Sequence, residues 1–320
     1  MPDIQIGEGL EIKFISKEKI TGLISSLEGE VFITQKREDS FYWQKHPCAF
    51  SLEGFRTFLP PKFFFYSPQE KLKEKNIIKR AVVGIKACDL RGLLFLKKVF
   101  REGDFVDPFF RDDVFIISAD CTYPGGNCFC TLLGDNPYPE EGFDLNLSEV
   151  EGGFLVEMGS SRGEALVEVK RALFSPADSE KVEERKRRRE AIKEQISGEK
   201  IEIEKNIERA EIVEEIKKCV SCGACTNICP SCFCFLLGEG ENFEKVRFWD
   251  SCQYPGYARV AGGANPRKEL DKRFIYRLKC KFEYSPERFG LRGCFGCGRC
   301  ISACLGGINF RDVLLKLSKK

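Results

Sequence analysis

The sequence predicts an α+β chain: an N-terminal α/β-like domain, a charged helical linker and a cysteine-rich helical C-terminal domain. Three observations predict it. In the first half, short β-branched runs flank a run with helical spacing. A block of almost continuous charge follows from Ser179. Beyond it, cysteines recur at fixed short spacings between amphipathic segments. A length of 320 residues leaves room for two cores. The boundaries expected are 1–175 for the first domain, 176–218 for the linker and 219–320 for the last domain.

Taken in order, Val31 to Trp43 (VFITQKREDSFYW) alternates on both sides of a polar turn and reads as a hairpin. The aromatics of Phe55 to Tyr66 and Phe105 to Phe110 suit either core or docking surface. Ala81-Val-Val-Gly-Ile85 and Val114-Phe-Ile-Ile-Ser118 read as buried strands. Leu90 to Phe100 has helical spacing and would cross between them, giving one βαβ-like unit. The stretch EKVEERKRRREAIKEQ predicts a helix with Asp178 or Ser179 as N-cap. Its basic run lies among glutamates, which favours a solvated helix face over a nucleic-acid patch. After Ser197-Gly198, a second helix carries Ile207, Ala210, Val213 and Ile216 on one face and leads into Cys219. Glu269 to Phe282 (ELDKRFIYRLKCKF) predicts another helix, ended by Ser285-Pro286.

Composition limits the function. Lys+Arg 51 against Asp+Glu 49 gives no net field for nucleic acid or an anionic membrane. The start, MPDIQIGEGLEIKF, lacks a basic region followed by an apolar run, and no stretch approaches the ~18–20 apolar residues of a membrane span. A cytoplasmic protein is expected. Its 17 cysteines are an odd number in a long chain without an export signal, which argues against a disulfide framework. With His46 the only histidine, soft thiolates without imidazole point to iron–sulfur chemistry and to an anaerobic source.

The strongest pattern is Cys-x2-Cys-x2-Cys-x3-Cys, found twice: Cys219, Cys222, Cys225 and Cys229, then Cys294, Cys297, Cys300 and Cys304. A thiolate at every third residue of a tight loop reaches three irons of a [4Fe–4S] cubane, while the fourth cysteine points to the neighbouring cluster. The expected sets are therefore Cys219, Cys222, Cys225 and Cys304 for one cluster, and Cys294, Cys297, Cys300 and Cys229 for the second. Gly223 and Gly298 follow the second cysteine of each loop and allow close backbone approach to the cluster. Zinc is the alternative, but it usually pairs two separate knuckles rather than four cysteines in one run. Helices leading into both motifs indicate an α-helical ferredoxin-type dicluster domain.

A further set, Cys88, Cys121, Cys128 and Cys130, lies in the first half. Cys88 would end the first buried strand and Cys121 follow the second, placing both at one carboxyl-end rim, where ligands favour binding. A third [4Fe–4S] cluster is expected there, with Asp89 as an alternative ligand; the competing reading is packing cysteines. Cys232, Cys234 and Cys252 suit either another centre or packing. The run Ser231-Cys-Phe-Cys-Phe-Leu-Leu-Gly238 echoes Asn127-Cys-Phe-Cys-Thr-Leu-Leu-Gly134, as two similar packed loops would. Cys48 reads as a core or surface thiol.

The blocks CVSCGACTNICPSCFCF, WDSC, AGGANPR and CFGCGRCISAC resemble the dicluster beta subunit of cytoplasmic sulfhydrogenases, and equally the dicluster subunit of anaerobic sulfite reductase. So do FRTFLPPKFFFYSPQE, VVGIKACDLRGLLFL, DPFFRDD and CTYPGGNCFCTLLGDNP upstream, so the resemblance covers most of the chain. Two positions depart from it: Leu305 follows Cys304 where proline is usual, and Cys280, given no role, stands where the family often has histidine. The resemblance implies a non-catalytic electron-transfer subunit of an oxidoreductase complex, relaying single electrons between a flavin- and NAD(P)-binding subunit and a catalytic metallo-subunit. No Gly-x-Gly-x-x-Gly or P-loop is present for a nucleotide of its own. The alternatives are a redox enzyme with a substrate-binding, site-differentiated cluster in the N-terminal domain, and a scaffold.

Overall fold

The computed structural model describes residues 12–72, 78–102, 106–111, 113–203, 207 and 212–318. Strand β1 (Lys13–Ser16) leads into α1 (Lys17–Ser25), and the expected hairpin is β2 (Glu30–Arg37) and β3 (Ser40–Lys45). After β4 (Gln69–Lys71) comes the βαβ unit of β5 (Arg80–Ile85), α2 (Ala87–Arg101) and β6 (Phe115–Ala119). Then follow β7 (Leu145–Val150), β8 (Gly153–Met158), α3 (Ser161–Val169) and β9 (Ser175–Pro176). Eight strands form one sheet in the order β3-β2-β5-β6-β7-β8-β1-β9. Pairs β2/β5, β5/β6 and β6/β7 are parallel.

Both faces of this sheet are covered, which is why β5 is a continuous apolar run. Val83 packs with Ile33, Ile117 and Leu23 of α1 on one face. Its neighbour Val82 points the other way, toward Leu93, Phe95 and Leu96 of α2. Phe64, Phe65, Tyr66 and Phe110 are buried in the same core, so these aromatics of both runs are core; Phe58 and Leu59 are exposed, and Phe105 lies outside the described residues. The β5/β6 register shifts between Val83 and Ile85, at Gly84 with φ +94°. A Cβ there would sit 2.6 Å from Thr34 Oγ1. The resulting bulge re-aims the chain just before Cys88.

Helix α4 (Ser179–Gln195) is capped by Asp178, whose carboxylate accepts from Lys181 N at 2.8 Å. It is not solvated all round. Arg185 pairs with Glu157 at 2.8 Å, and Arg189 with Asp120 at 2.7 Å and Glu157 at 2.8 Å, which docks the helix on β7 and β8. Of the second expected helix, α5 (Val213–Lys217) is described and Ile207 is buried; Ala210 lies outside the described residues.

The cysteine-rich half contains α6 (Ala224–Asn227), the hairpin β10 (Phe235–Glu239) and β11 (Lys245–Trp249), α7 (Leu270–Lys279), α8 (Ser285–Phe289), α9 (Arg299–Ser302) and α10 (Phe310–Leu317). Strand β11 also pairs with β4, and Arg247 bridges Glu70 and Asp107, so the halves share a sheet. A third core joins Ile212, Ile216, Phe274, Leu278 and Val313 to Phe129 and Leu132 from the first half. Ser285-Pro286 does not end α7. The chain continues through a π-helical turn, Cys280–Tyr284, into α8, because Pro286 sits in the first helical turn, where no N–H is required. Strands and helices thus combine as an α+β fold. Among the described residues no helix is long and apolar enough to cross a membrane.

Candidate metal centres

Each cysteine motif is a loop running into a short helix, and the two loops share one backbone design. Ser221 and Gly223 in the first have φ +55° and +73°; Gly296 and Gly298 at the same positions in the second have +63° and +70°. These left-handed residues curl the loop so that successive cysteines turn inward. Ser221, which is not glycine, is held by Arg273, whose Nη2 donates to its Oγ at 3.1 Å. The Tyr254 ring covers Gly223 so closely that a Cβ would lie 2.5 Å from it.

Helices α6 and α9 pack together, and the fourth cysteines cross over. Cys219, Cys222, Cys225 and Cys304 line one cavity; Cys229, Cys294 and Cys297 line a second; Cys300 stands in the wall of both. Gly306 closes the crossing, since its Cβ would meet Lys218 O at 2.0 Å. Among the described residues no three His, Cys, Asp or Glu side chains converge as a single metal ion requires. The two quartets instead line two separate cavities.

The chemistry of the walls fits an anionic thiolate cluster. Burial pushes the Cys294 and Cys300 thiols up to about 11 and about 12. At neutral pH they lose the proton only to a cation that replaces it. Arg277 lines both cavities, is 5% exposed, and its Nε has no hydrogen-bond partner. Burial alone would lower its pKa, but the surrounding Cys225, Cys300, Cys232 and Cys229 raise it well above the usual value. Its guanidinium stacks on Phe310 at 4.0 Å, and no carboxylate pairs with it among the described residues. A buried charge without a counter-ion is strongly destabilising, so negative charge in the cavities is required. Lys281, also buried, donates to Cys229 Sγ at 3.3 Å and Gly293 O at 2.7 Å. Ile308 N donates to Cys304 Sγ at 3.3 Å.

Sequence reasoning missed these cations. Arg273, Arg277 and Lys281 recur every fourth residue and are all buried. That spacing, cationic on a face that should be apolar, was the available signal.

The first-half set gathers at the rim expected. Cys121 follows β6, whereas Cys88 does not end β5 but lies in the first turn of α2, beyond Lys86. Cys121, Cys128 and Cys130 pack in one buried cluster with Ile192 and Ile196. Cys88 is raised chiefly by burial and in part by Cys121, and Cys121 is itself raised by burial and by Cys128. Asp89 is engaged elsewhere: it forms a two-pronged pair with the fully buried Arg299, at 2.5 and 2.8 Å, and is not free to act as an alternative ligand. Cys297 of the second motif acts on both Cys88 and Cys128, so this set lies beside the second cavity. The echo between the two Cys-Phe-Cys runs does not extend to structure. Residues after Cys130 form a 3-10 turn, Thr131–Leu133, while those after Cys234 enter β10. Cys48 packs half-buried against the first core.

The loop carrying Cys128 and Cys130 rests on the second motif. Phe129 N donates to Gly296 O at 2.8 Å, and a Cβ on Gly298 would lie 2.1 Å from Asn127 O. Gly298→Ala is expected to cost more than the ~1–2 kcal/mol of a left-handed L-residue and to separate the two loops. Gly134→Ala, at φ +82° with nothing within 4 Å of the new Cβ, bears the backbone cost alone. Thermal unfolding of the two variants at equal iron loading measures the difference.

A family model described as a 4Fe-4S dicluster domain matches residues 218–308. Sulfhydrogenase 2 subunit beta of Pyrococcus furiosus is 32% identical over 286 residues, which cover 82% of this chain and 84% of that protein.

Proposed function

The chain belongs to the 4Fe–4S dicluster electron-transfer family of sulfhydrogenase 2 subunit beta, and from that premise we propose that it relays single electrons between a flavin- and NAD(P)-binding subunit and a catalytic metallo-subunit of a cytoplasmic hetero-oligomer. The observation that carries this reading is the shared wall. Cys300 and Arg277 line both cysteine cavities, so two centres would stand side by side. Cys219, Cys222, Cys225 and Cys304 would hold one centre; Cys294, Cys297, Cys300 and Cys229 would hold the other. Bound clusters supply one-electron chemistry, which divides a flavin's electron pair for a metal site.

The protein's own groups set the conditions. Arg277 and Lys281 place fixed positive charge beside the thiolates, which favours the more negative, reduced state. The Ile308 N–H on Cys304 acts in the same direction. Gly223 and Gly298 let the loop backbones approach closely. A third cluster on Cys88, Cys121, Cys128 and Cys130 belongs to the same proposal, supported by their gathering at the sheet rim beside Cys297.

The test is reduction under anaerobic conditions, followed by visible absorbance. Dithionite is expected to bleach the isolated chain. NADH or NADPH is expected to do so only once the co-purifying flavin subunit is present. An isolated chain that oxidises NAD(P)H, or that dithionite leaves unbleached, would contradict the relay.

A further inference from the structure

Four cysteines outside both motifs and outside the first-half set come together on three different elements. Cys232 and Cys234 leave the first motif beyond Pro230, and Cys234 immediately precedes β10. Cys252 lies just after β11. The β10/β11 register pairs Phe235 with Trp249, and Asp250 N donates to Cys234 O at 2.9 Å, so the hairpin brings Cys234 and Cys252 to one end. Each thiol shifts the other, Cys234 downward and Cys252 upward, as neighbours at one end of the hairpin do. Cys280 arrives from α7 as the first residue of the π-helical turn, a distortion frequent at functional sites. Its thiol is near enough to Cys234 to be raised by it, after burial as the larger cause. Cys232 lies between this group and the second cavity: its thiol is raised by Cys229 and, more weakly, by Cys234.

The surroundings carry buried positive charge. Lys62, 2% exposed, donates to the carbonyls of Thr226 at 3.4 Å and Cys232 at 3.0 Å and stacks over Trp249 at 4.0 Å. Lys281, 4% exposed, acts on Cys232, Cys234 and Cys280 alike. Neither ammonium meets a carboxylate among the described residues. These buried cations complement anionic charge beside the four thiols, Lys281 being shared with Cys229 of the second motif centre. Gln253 Nε2 also donates to Cys252 Sγ at 3.4 Å, the kind of contact that supports a liganding sulfur.

We propose that Cys232, Cys234, Cys252 and Cys280 hold an additional iron–sulfur cluster, adjoining the second motif centre through Cys232 and Cys229. A cluster is favoured over a single zinc ion because, among the described residues, no three of these side chains converge on one point. The site rests on the relay reading only for its use: one electron passes between neighbouring centres, one oxidised as the other is reduced, with no proton or co-reactant.

Iron, zinc and acid-labile sulfide are to be measured on the anaerobically purified full chain and on the Cys234→Ser/Cys252→Ser variant. The quantity of interest is the difference between the two, which does not depend on whether the first-half cluster exists or the relay operates. The expected result is a loss of about four irons and about four sulfides, with the motif-centre signals retained. Unchanged iron, or loss of one zinc in place of iron, overturns the proposal. Should the variant lose every centre, alkylation of the wild-type chain decides. Cys234, Cys252 and Cys280 are expected to be protected until iron is chelated, whereas free alkylation, or a Cys234–Cys252 disulfide, overturns it.

Discussion

Serine at Cys229 is expected to damage the same centre as serine at Cys297, and serine at Cys304 the same centre as serine at Cys222. Neighbours in sequence would suggest the opposite grouping. The two fourth cysteines leave their loops at the ends of α6 and α9, which pack together, and each thiol lines the cavity of the other motif. A serine oxygen is a harder and weaker ligand for a cluster than thiolate. Each variant should therefore lose or alter one cubane, about four irons at most, and spare its neighbour. Electron paramagnetic resonance of the reduced variants sorts them: Cys222→Ser with Cys304→Ser, and Cys297→Ser with Cys229→Ser. Spectra that group by sequence motif would contradict the crossing.

Asp89→Asn is expected to be the most destabilising single change outside the cysteines. Arg299 is fully buried, and its guanidinium donates to Asp89 and to the carbonyls of Thr57 and Phe58. It thus ties α2 and the loop after β3 to the helix of the second motif. Neutralising one partner leaves a buried, uncompensated charge, which costs about 3–5 kcal/mol. The exposed pair of Lys79 and Glu28 makes a fair comparison, since solvent screening leaves such pairs close to neutral for stability. Denaturant unfolding of Asp89→Asn and Glu28→Gln should separate the two by several-fold. Equal shifts would mean that the buried pair does not join the halves.

Local patterns were legible in the sequence and long-range ones were not. The βαβ unit was readable because β5 and β6 are apolar runs and α2 has a clear helical period. The motif quartets were readable because a cubane dictates thiolate spacing within a single loop. Strand β7 was missed because its buried Asn146 and Ser148 look like surface residues. They are satisfied by Ser118, Asp120, Glu157 and Arg189, partners up to 41 residues away. The buried cations Arg273, Arg277 and Lys281 were missed for the same reason: Arg273 binds the Gln253 carbonyl and the Ser221 hydroxyl, and Arg277 and Lys281 face cysteines from other loops. Cys280 was unreadable as a site residue because its companions lie on a hairpin that only the fold brings to it.

The relay stands on the two cavities walled jointly by Cys300 and Arg277 being filled by four-iron cubanes. Mössbauer spectroscopy of the anaerobically purified chain, with total iron and zinc, tests that most directly. The prediction is at least about eight irons per chain, all in [4Fe–4S] clusters. Zinc in place of iron, or cystines within residues 219–229 and 294–304, would contradict it.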